Sequence, residues 1–577
     1  MTDVLRVGNC SGFYGDRLSA MREVLEGSTD GQGVDVVTGD YLAELTMLIL
    51  GKDQLKDPSL GYARTFVTQV ADCLSLVLEK GVRVVANAGG LNPAGLVQKL
   101  HEVASEQGLS PKIAWVDGDN LSPRAAELGL GGALTANAYL GAFGIARALE
   151  AGADIVVTGR VTDASVVVGP AIWRFGWRPD HYDELAGAVV AGHVIECGAQ
   201  ATGGNFSGFL DLARDAQPLG FPIAEIAADG SSVITKHDDT GGLVSVDTVT
   251  AQLMYEVQSG LYLGPDVTVD LSTIELADEG KDRVRISGTR GIAPPKRLKV
   301  CVNELGGFRN QMEFVLTGLD VEEKAAWLRA QLDGRIEAAS VTWSMSRIPG
   351  PDSETEEGAS CLLRCVVKDD NAAAVGKPFT AAAVELALAS YPGFTLTGPP
   401  GAASPYGIYR PAYVDRDAVE QTVHLPDGTT EIVPDPPVRQ QPEAETKEEP
   451  SQTDSIPGVA DDAITRRLPL GTFVHARSGD KGGDANVGLW VREGEHRAER
   501  SQWLRQFVTV DRIRRLAPEA KDLDIEVFEL ANLHGVNVLI HGLLGDGVAA
   551  STRFDPQAKG LGEWLRSRLV SIPEELL

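Results

Sequence analysis

Short apolar runs alternate with longer amphipathic segments along the first part of the chain, and each run is followed at once by a small or polar residue. Runs of this length, separated by amphipathic stretches, are typical of β-α-β-α units. The pattern predicts an α/β fold with a mostly parallel, doubly wound sheet that carries helices on both faces. The predicted strands are residues 4–7, 34–38, 82–86, 113–116 and 154–158.

In such a sheet, ligands bind beyond the carboxyl ends of the strands, because these ends meet at one edge. We therefore expect the side chains that follow the runs to converge and to contribute to a ligand-binding site. These residues are Asn9, Ser11 and Gly12; Gly39 and Asp40; Asn87, Gly89, Gly90 and Asn92; Asp117, Asp119 and Asn120; and Arg160, Thr162 and Asp163.

Several of these loops allow a simpler structural explanation. The glycines of residues 8–15 fit neither the dinucleotide fingerprint nor a phosphate loop, so this loop and residues 88–93 either hold an anion through backbone N–H groups or make tight turns. Asp40 either lines the site or caps a predicted helix over residues 41–50. Asp117 and Asp119 can hold a divalent cation or a sugar hydroxyl, but turns favour the same residues.

The stretch 154–163 and the glycine-rich segment 192–208 concentrate most of the candidate chemistry. We predict that the second segment is a flexible polar loop beside the sheet edge. Between the two predicted strands that precede it, residues 133–149 are rich in Ala, Leu and Gly, which predicts a buried helix. The polar and glycine residues of the loop are His193, Glu196, Cys197, Gln200, Thr202, Gly203, Gly204, Asn205 and Ser207.

His193 and Glu196 are three residues apart, and a histidine with a neighbouring carboxylate is a workable acid/base pair. Arg160 is expected to bind a carboxylate or thioester oxygen, with Asp163 orienting it. Cys197 as a nucleophile with His193 as its base would instead give a thioesterase. The simpler alternatives are a core histidine and a small buried thiol.

The remaining chain predicts three further regions after a first α/β domain over residues 1–215. Residues 216–432 predict a second α+β unit, which includes a strand at 244–249 and a helix at 321–332. Residues 433–464 are rich in Pro, Glu and Gln, which predicts a disordered acidic linker. Residues 465–577 predict a small ferredoxin-like α+β domain. Its loop over residues 477–486 offers Arg477 and Lys481 as ligands for a phosphate or carboxylate, or is a solvated hairpin.

Charge and composition limit the binding partners, the state of the cysteines and the location of the protein. A net charge of −29 argues against binding to nucleic acid or to anionic membranes. The six cysteines have no framework spacing, so we expect free thiols, with Cys361 and Cys365 in the core. The chain has no apolar run long enough to span a bilayer and no signal-peptide pattern at its start, so we expect a cytoplasmic location.

The sequence resembles the acyclic terpene utilisation (AtuA-like) family. The resemblance is carried by residues 8–15, Ala88-Gly-Gly-Leu-Asn-Pro93, Val157-Thr-Gly-Arg-Val-Thr-Asp-Ala-Ser165, Glu196-Cys-Gly-Ala-Gln-Ala-Thr-Gly-Gly204 and residues 477–486. It covers nearly the whole chain apart from the predicted linker. It implies an N-terminal region followed by a ferredoxin-like domain, and a role in the catabolism of acyclic terpenes or branched acyl chains, alongside acyl-CoA carboxylases. The resemblance supplies no catalytic residues.

We therefore expect a catabolic enzyme that acts on an acyl-CoA or related carboxylated substrate by hydratase or lyase chemistry. A thioesterase is the second choice among enzymes. The alternative from another class is a non-catalytic acyl-CoA-binding or assembly subunit of a carboxylase-type complex. No cofactor or metal is firmly implied beyond a CoA thioester as substrate, although Asp117, Asp119 and Asp163 offer a metal-dependent alternative. We also expect a homo-oligomer.

Overall fold

The computed structural model describes residues 4–213, 217–440 and 464–577. It contains two compact units. The larger comprises Met1–Asn303, Tyr409–Val548 and Gln557–Leu577, and the smaller comprises Glu304–Ile408 and Ala549–Pro556. No helix among the described residues is both long enough and apolar enough to cross a membrane.

The main sheet of the larger unit contains all five predicted strands. These strands are parallel and adjacent at its centre, but antiparallel strands extend the sheet on both sides. The sheet is therefore mixed, and the prediction of a mostly parallel sheet is corrected: the flanking strands come from later parts of the chain whose alternating pattern did not reveal which sheet they join. The order across the sheet is Glu275–Asp278, Val284–Ser287, Ser232–Lys236, Pro222–Ala227, Val4–Asn9, Val36–Gly39, Arg83–Ala86, Ile155–Thr158, Ile113–Asp117, Thr422–His424 and Thr430–Ile432.

Helices cover both faces of this sheet. Successive strand residues point to opposite faces, so Val84 and Val157 belong to one hydrophobic cluster and Val85 and Val156 to another. The first cluster contains the helices Ala20–Glu26, Arg64–Lys80 and Pro93–Glu106, and the second contains Phe143–Glu150, Ser165–Phe175, Tyr182–Ile195 and Val246–Leu253. The parallel strands are consequently buried on both sides, which explains their short, continuous apolar runs.

Three local predictions are wrong. Residues 133–149 are not one helix, because Thr135–Ala138 is a strand paired with Val300–Asn303, and only Phe143–Glu150 is helical. Small apolar residues fit either period, so the pattern could not separate strand from helix. The predicted strand at 244–249 is the helix Val246–Leu253, which begins with a capping box between Ser245 and Thr248. The helix predicted over residues 41–50 is Glu44–Lys56, so Asp40 is not its N-cap.

The C-terminal region forms a four-stranded antiparallel sheet within the larger unit, as the predicted α+β layer requires. Its strand order is Val474–Lys481, Asp484–Val491, Gly535–Ile540 and Ile525–Leu530, and its helices are Arg497–Phe507, Val510–Leu516 and Leu561–Ser567. Residues 477–486 are not a loop: they form the end of one strand, a turn at Gly482 and Gly483, and the start of the next strand. The remaining short strands of the larger unit are Leu261–Leu263, Thr268–Asp270, Arg290–Ile292, Thr465–Pro469 and Leu569–Pro573.

The smaller unit has its own core. Phe314, Leu328, Leu363 and Phe379 are buried together between a sheet and two helices, and Cys361 and Cys365 lie in the same cluster as free thiols, as predicted. Its strands are Ser340–Met345, Ser360–Asp369 and Thr395–Leu396, with the later part of Arg297–Thr317 and the start of Ser404–Asp415, and its helices are Val321–Leu332 and Lys377–Val384.

The compact units divide the chain differently from the predicted domain boundaries. Pro222–Ala227 pairs directly with Val4–Asn9, so the chain beyond residue 216 continues the first sheet. Within the predicted linker, residues 433–440 are hydrogen-bonded: Val433 N donates to Gln421 O at 2.9 Å, and Gln440 N donates to Pro294 O at 3.0 Å. Residues 441–463, where the rest of that linker was predicted, lie outside the described residues.

The difference in burial between two leucines predicts that the same Leu→Ala substitution has very different effects on stability. Leu74 is 1% exposed on the helix Arg64–Lys80, and Leu55 is 68% exposed on the helix Glu44–Lys56. Leu74→Ala should cost about 2–5 kcal/mol of stability, because it leaves a cavity among packed side chains. Leu55→Ala should change stability by no more than about 0.5 kcal/mol. Thermal unfolding of the full chain checks both, and equal shifts would contradict this assignment of the core.

Candidate active site

The end of the helix Tyr182–Ile195 brings the predicted acid/base residues together. His193 lies in its last turn and Glu196 caps it, so the two share one face. His193 Nδ1 lies 3.0 Å from Glu196 Oε1, and each residue is 4% exposed. Their other polar atoms, His193 Nε2 and Glu196 Oε2, have no hydrogen-bond partner within the described ranges. The segment at 192–208 therefore begins as a helix and not as a flexible loop.

Asn9 fixes the position of this helix end. Its amide nitrogen Nδ2 donates to the carbonyl oxygens of Ile195 and Glu196, both at 2.8 Å, and Thr38 Oγ1 donates to its Oδ1 at 3.1 Å. Carbonyl groups at a helix end have no partner within the helix, so a buried amide from a neighbouring strand satisfies them. Asn9 thus holds the His193–Glu196 pair against the sheet edge.

Burial and the contact between His193 and Glu196 have opposite effects on the pKa values of these two groups. Burial raises the pKa of Glu196 to about 7, although His193 acts to lower it. Burial lowers the pKa of His193, but the carboxylate of Glu196 outweighs this effect and raises that pKa above its ordinary value. The pair can accordingly take up and release a proton near neutral pH.

Arg160 and Asp163 form the second element of the site, at the carboxyl end of the strand Ile155–Thr158. Arg160 is 2% exposed, and its Nη1 lies 2.9 Å from Asp163 Oδ1. The same nitrogen donates to the carbonyl of Leu42, and the guanidinium carbon lies 4.5 Å from the centre of the Tyr139 ring. Arg160 Nε has no partner in the part of the chain that the structure describes.

Asp119 positions Arg160 through hydrogen bonds to the protein itself. Its Oδ2 accepts from the backbone N–H of Arg160 at 2.9 Å and from Asn137 Nδ2 at 2.7 Å. Burial raises the pKa of Asp119 to about 6, and these hydrogen bonds act to lower it. Asn137 therefore belongs to the support of the site, on a strand that the sequence had suggested to be helical.

Asp40 and Asn87 connect the ends of two neighbouring parallel strands. Asn87 Nδ2 donates to Asp40 Oδ1 at 2.5 Å, and Asn87 Oδ1 accepts from the N–H of Tyr41 at 2.7 Å. Burial, and then the charge of Asp163, raise the pKa of Asp40 well above its usual range. Asp40 therefore lies close to the Arg160–Asp163 pair, as the strand-end prediction requires.

Four side chains of the site were not picked out from the sequence. Glu44 accepts from Tyr139 Oη at 2.9 Å, and Lys299 Nζ lies 5.0 Å from the centre of the same ring. Glu256 Oε2 lies 3.7 Å from Lys481 Nζ, and Asp480 is the neighbour of Lys481. Together with the residues above they form what we call the charged cluster: Asp40, Glu44, Arg160, Asp163, His193, Glu196, Glu256, Lys299, Asp480 and Lys481.

The charged cluster contains more carboxyl groups than cations. Burial raises the pKa of Glu44, but Lys299, Arg160 and Lys481 outweigh this effect and lower it to about 2. Asp480 differs, because burial and the carboxylates of Glu256 and Glu44 raise its pKa to about 8. Neighbouring carboxyl groups in one site therefore favour different protonation states at neutral pH, which is the arrangement that acid/base chemistry needs.

Several predicted ligand residues have structural roles instead. Asn92 caps the helix Pro93–Glu106 by accepting from Gly95 N at 2.9 Å. Asp117 Oδ2 lies 3.1 Å from His424 Nε2 on the neighbouring antiparallel strand. A side chain at Gly89 would overlap the carbonyl oxygen of Thr158, and one at Gly90 would overlap Leu50 and the carbonyl of Gly61.

The first loop likewise uses its own polar groups. The N–H of Gly12 donates to Asp16 Oδ2 at 3.0 Å, and Ser11 Oγ donates to the carbonyl of Phe13 at 3.0 Å. A side chain at Gly12 would overlap the backbone of Cys197, so this glycine allows the loop to approach the segment after Glu196. The loop packs against the site and offers no cradle for an anion at these groups.

Arg477 joins the C-terminal region to the segment after Cys197. Its Nη2 donates to Gln200 Oε1, its Nη1 donates to the carbonyl of Asn205 at 3.3 Å, and its guanidinium carbon lies 4.2 Å from the centre of the Tyr255 ring. Asn205 has a positive φ of 55°, and Gly203 and Gly204 lie in the same turn. Of the two predicted C-terminal residues, Lys481 reaches the charged cluster, and Arg477 holds the C-terminal region against the segment after Cys197.

Cys197 does not pair with His193, whose Nδ1 faces Glu196. Burial, followed by the charges of Glu196, Glu256 and Asp40, raises the pKa of the Cys197 thiol well above its ordinary value. A thiol nucleophile needs the thiolate form. The surroundings of Cys197 therefore disfavour that role.

The three aspartates considered for a metal site do not converge. Asp117 faces His424, while Asp119 and Asp163 hold different atoms of Arg160. In residues 4–213, 217–440 and 464–577, the one group of three side chains with converging ligand atoms lies in the C-terminal region and comprises Asp524, Glu526 and His541.

Comparison with known families agrees with the pattern seen in the sequence. Residues 5–425 match the profile described as acyclic terpene utilisation family protein AtuA, and residues 468–571 match the AtuA ferredoxin-like domain. Searches of curated proteins and of solved structures found no match. Because the first match alone covers well over half of the 577 residues, the chain belongs to the acyclic terpene utilisation (AtuA) family and carries the ferredoxin-like domain of that family.

Proposed function

We propose that this protein is an enzyme of acyclic terpene or branched-chain acyl degradation. It acts on an acyl-CoA or a related carboxylated substrate by acid/base chemistry of the hydratase or lyase type. Membership of the AtuA family supports the metabolic setting. The reaction type is supported by the side chains of the charged cluster.

The observation that carries this proposal is the His193–Glu196 pair. The 3.0 Å contact at Nδ1 fits a neutral imidazole that donates from Nδ1 to the carboxylate of Glu196. The lone pair of Nε2 is then free to accept a proton, and Nε2 has no partner among the residues that the structure describes. A buried base with an oriented imidazole is suited to removing a proton from a hydroxyl group or from water.

If the protein is a lyase, the substrate is a 3-hydroxyacyl thioester. His193 Nε2 takes the proton of the hydroxyl group, the C2–C3 bond breaks, and a ketone and the enolate of the shorter thioester form. The imidazolium then returns the proton to C2 of that enolate. Atoms and electrons balance without an external oxidant or reductant, and Glu196 stabilises the imidazolium while it exists.

If the protein is instead a hydratase, the substrate is an enoyl thioester. The same nitrogen takes a proton from the water that attacks C3, and the proton passes to C2. In both reactions negative charge develops on the thioester oxygen as the enolate forms. Arg160 is the group that stabilises it, because its guanidinium is buried and its Nε has no partner in the described residues.

The cations of the charged cluster offer partners for a substrate carboxylate, in competition with the carboxyl groups of the cluster itself. Lys299 lies beside Tyr139, and Lys299, Arg160 and Lys481 together outweigh the effect of burial on Glu44. A substrate carboxylate gains from the same cations, because charge-assisted contacts in a buried site are stronger than in water. This argument leads to a test substrate with a branched acyl chain and a free distal carboxylate.

Replacement of the base gives the first prediction for this function. His193→Gln should lower kcat by about 10²–10⁴-fold, because general acid/base catalysis contributes a factor of that size. The measurement is the conversion of 3-hydroxy-3-methylglutaryl-CoA or of 3-methylglutaconyl-CoA, followed by chromatography of the CoA esters. His101→Gln is the matched control, since His101 is exposed on the helix Pro93–Glu106. Equal rates in the two variants would reject His193 as the base.

The wild-type protein separates the two classes of function. Binding of both thioesters without any turnover would favour a non-catalytic acyl-CoA-binding or assembly subunit. Turnover that His193→Gln removes would favour the enzyme. Release of free CoA without change in the acyl skeleton would instead indicate a thioesterase, and Cys197→Ala would then be the variant to examine.

The pH dependence gives a second prediction. Burial raises the pKa of Glu196 to about 7, and the proposed mechanism needs Glu196 as a carboxylate. A carboxyl group with a raised pKa becomes ionised only as the pH rises through that value, so kcat should increase with pH up to about 7 and then level. Glu196→Gln should lower kcat and move this rise to lower pH, because His193, which must be neutral to act as the base, loses the carboxylate that raises its pKa. Carboxyl groups with ordinary pKa values are already ionised above about pH 5.5. A wild-type kcat that does not change between pH 5.5 and 8 would therefore contradict the raised pKa of Glu196.

A further inference from the structure

The C-terminal ferredoxin-like region reaches the charged cluster through one hairpin. The strands Val474–Lys481 and Asp484–Val491 pair along their whole length and turn at Gly482 and Gly483. Gly482 has a φ of +68°, which favours glycine, and a side chain there would overlap the ring of Tyr409. Lys481 is therefore the last residue before a closely packed turn.

The hairpin is fixed to the segment that follows the helix Val246–Leu253. The N–H of Glu256 donates to Asn486 Oδ1 at 2.8 Å, and Asn537 Nδ2 donates to the carbonyl of Val257 at 3.0 Å. A side chain at Gly479 would overlap the ring of Tyr255, so glycine is needed for this close approach. The mixture of Gly, Asp and Lys in residues 477–486 is thus explained by packing as well as by charge.

The ammonium group of Lys481 is held at the edge of the charged cluster. Its Nζ lies 3.7 Å from Glu256 Oε2, and 19% of its side chain is exposed. Burial lowers the pKa of Lys481, but the carboxylates of Glu256, Glu44, Asp163 and Glu196 outweigh this effect and raise it. Lys481 therefore stays a cation, and it faces carboxylates that come from four separate segments of the N-terminal region.

We propose that Lys481 is a positioning residue of this site, and that the ferredoxin-like domain completes the site by bringing this cation to the carboxylates around His193. The domain is then a wall of the active site and not a separate docking module. This inference rests on the proposed function only in naming His193 as the reacting base.

Lys481 acts on the reacting pair through charge. Its ammonium group lowers the pKa of His193 and of Asp163, whereas Glu256 raises the pKa of both. Removing the cation should therefore raise these pKa values, and removing the carboxylate of Glu256 should lower them. The charged and titratable groups that interact with Lys481 in the charged cluster are Glu44, Asp163, His193, Glu196, Glu256 and Lys299.

The test follows the protonation of His193 without any substrate. The full chain contains nine histidines, and labelling with [13Cε1]-histidine gives one NMR signal for each, with His193 assigned by its loss in His193→Gln. In Lys481→Met the titration midpoint of His193 should rise to higher pH, because the like charge of the ammonium group, which lowers the His193 pKa, is lost. In Lys481→Arg it should stay near the wild-type value, because the charge remains.

Two further variants complete the design. Glu256→Gln should move the midpoint in the opposite direction, and it keeps the test valid if Lys481→Met fails to fold. Lys521→Met is the control, since Lys521 is 71% exposed in the same domain and lies 3.8 Å from Asp522. The same His193 behaviour in wild type, Lys481→Met and Glu256→Gln, including the lack of any titration between pH 5 and 9, overturns the proposal.

A turnover assay then separates this proposal from the proposed function. Shifted midpoints in a protein that converts neither thioester would leave Lys481 as the positioning cation and would reject the enzymatic function. Shifted midpoints with turnover should be accompanied by a shift of the pH–kcat profile of Lys481→Met to higher pH. Unshifted midpoints in an active enzyme would reject Lys481 and leave His193 as the base.

Discussion

Burial of the Arg160 guanidinium is the constraint on which the arrangement of the site depends. An ion removed from water loses several kcal/mol of hydration free energy unless partners replace it. Arg160 finds them in Asp163, in the carbonyl of Leu42 and in the face of the Tyr139 ring. Each partner comes from a different segment, so a shift in any one of these segments would leave a buried charge uncompensated.

The same constraint extends to the carboxyl groups. Glu44 is kept ionised by three cations, while Glu196 and Asp480 lie where burial raises their pKa to about 7 and about 8. The sheet edge thus combines groups that stay charged with groups that exchange protons near neutral pH. A site with only one of these two kinds could hold a ligand but would lack either the charge that stabilises an enolate or the group that moves a proton.

The sequence predicted the part of this site that depends on the α/β rhythm. All five central strands are present, and Asn9, Asp40, Asn87, Asp119, Arg160 and Asp163 meet at their carboxyl ends. What it missed depends on pairing between distant segments. Thr135–Ala138 became a strand through Val300–Asn303, and the same long strand carries Lys299 to Tyr139. Neither contact leaves a local signal, because small apolar residues and a single lysine fit many environments.

The hydrogen bonds also separate residues that hold the site from residues that can react in it. Asn9, Asn87 and Asp119 use their polar atoms on backbone or side-chain groups of the protein itself. His193 and Glu196 keep Nε2 and Oε2 without partners in the described chain, although both are buried. Unpaired buried polar atoms are costly and uncommon in folded proteins. Two such atoms on one acid/base pair that Asn9 fixes to the sheet edge, with the unpaired Nε of Arg160 on the neighbouring strand end, are the reason to locate the chemistry there.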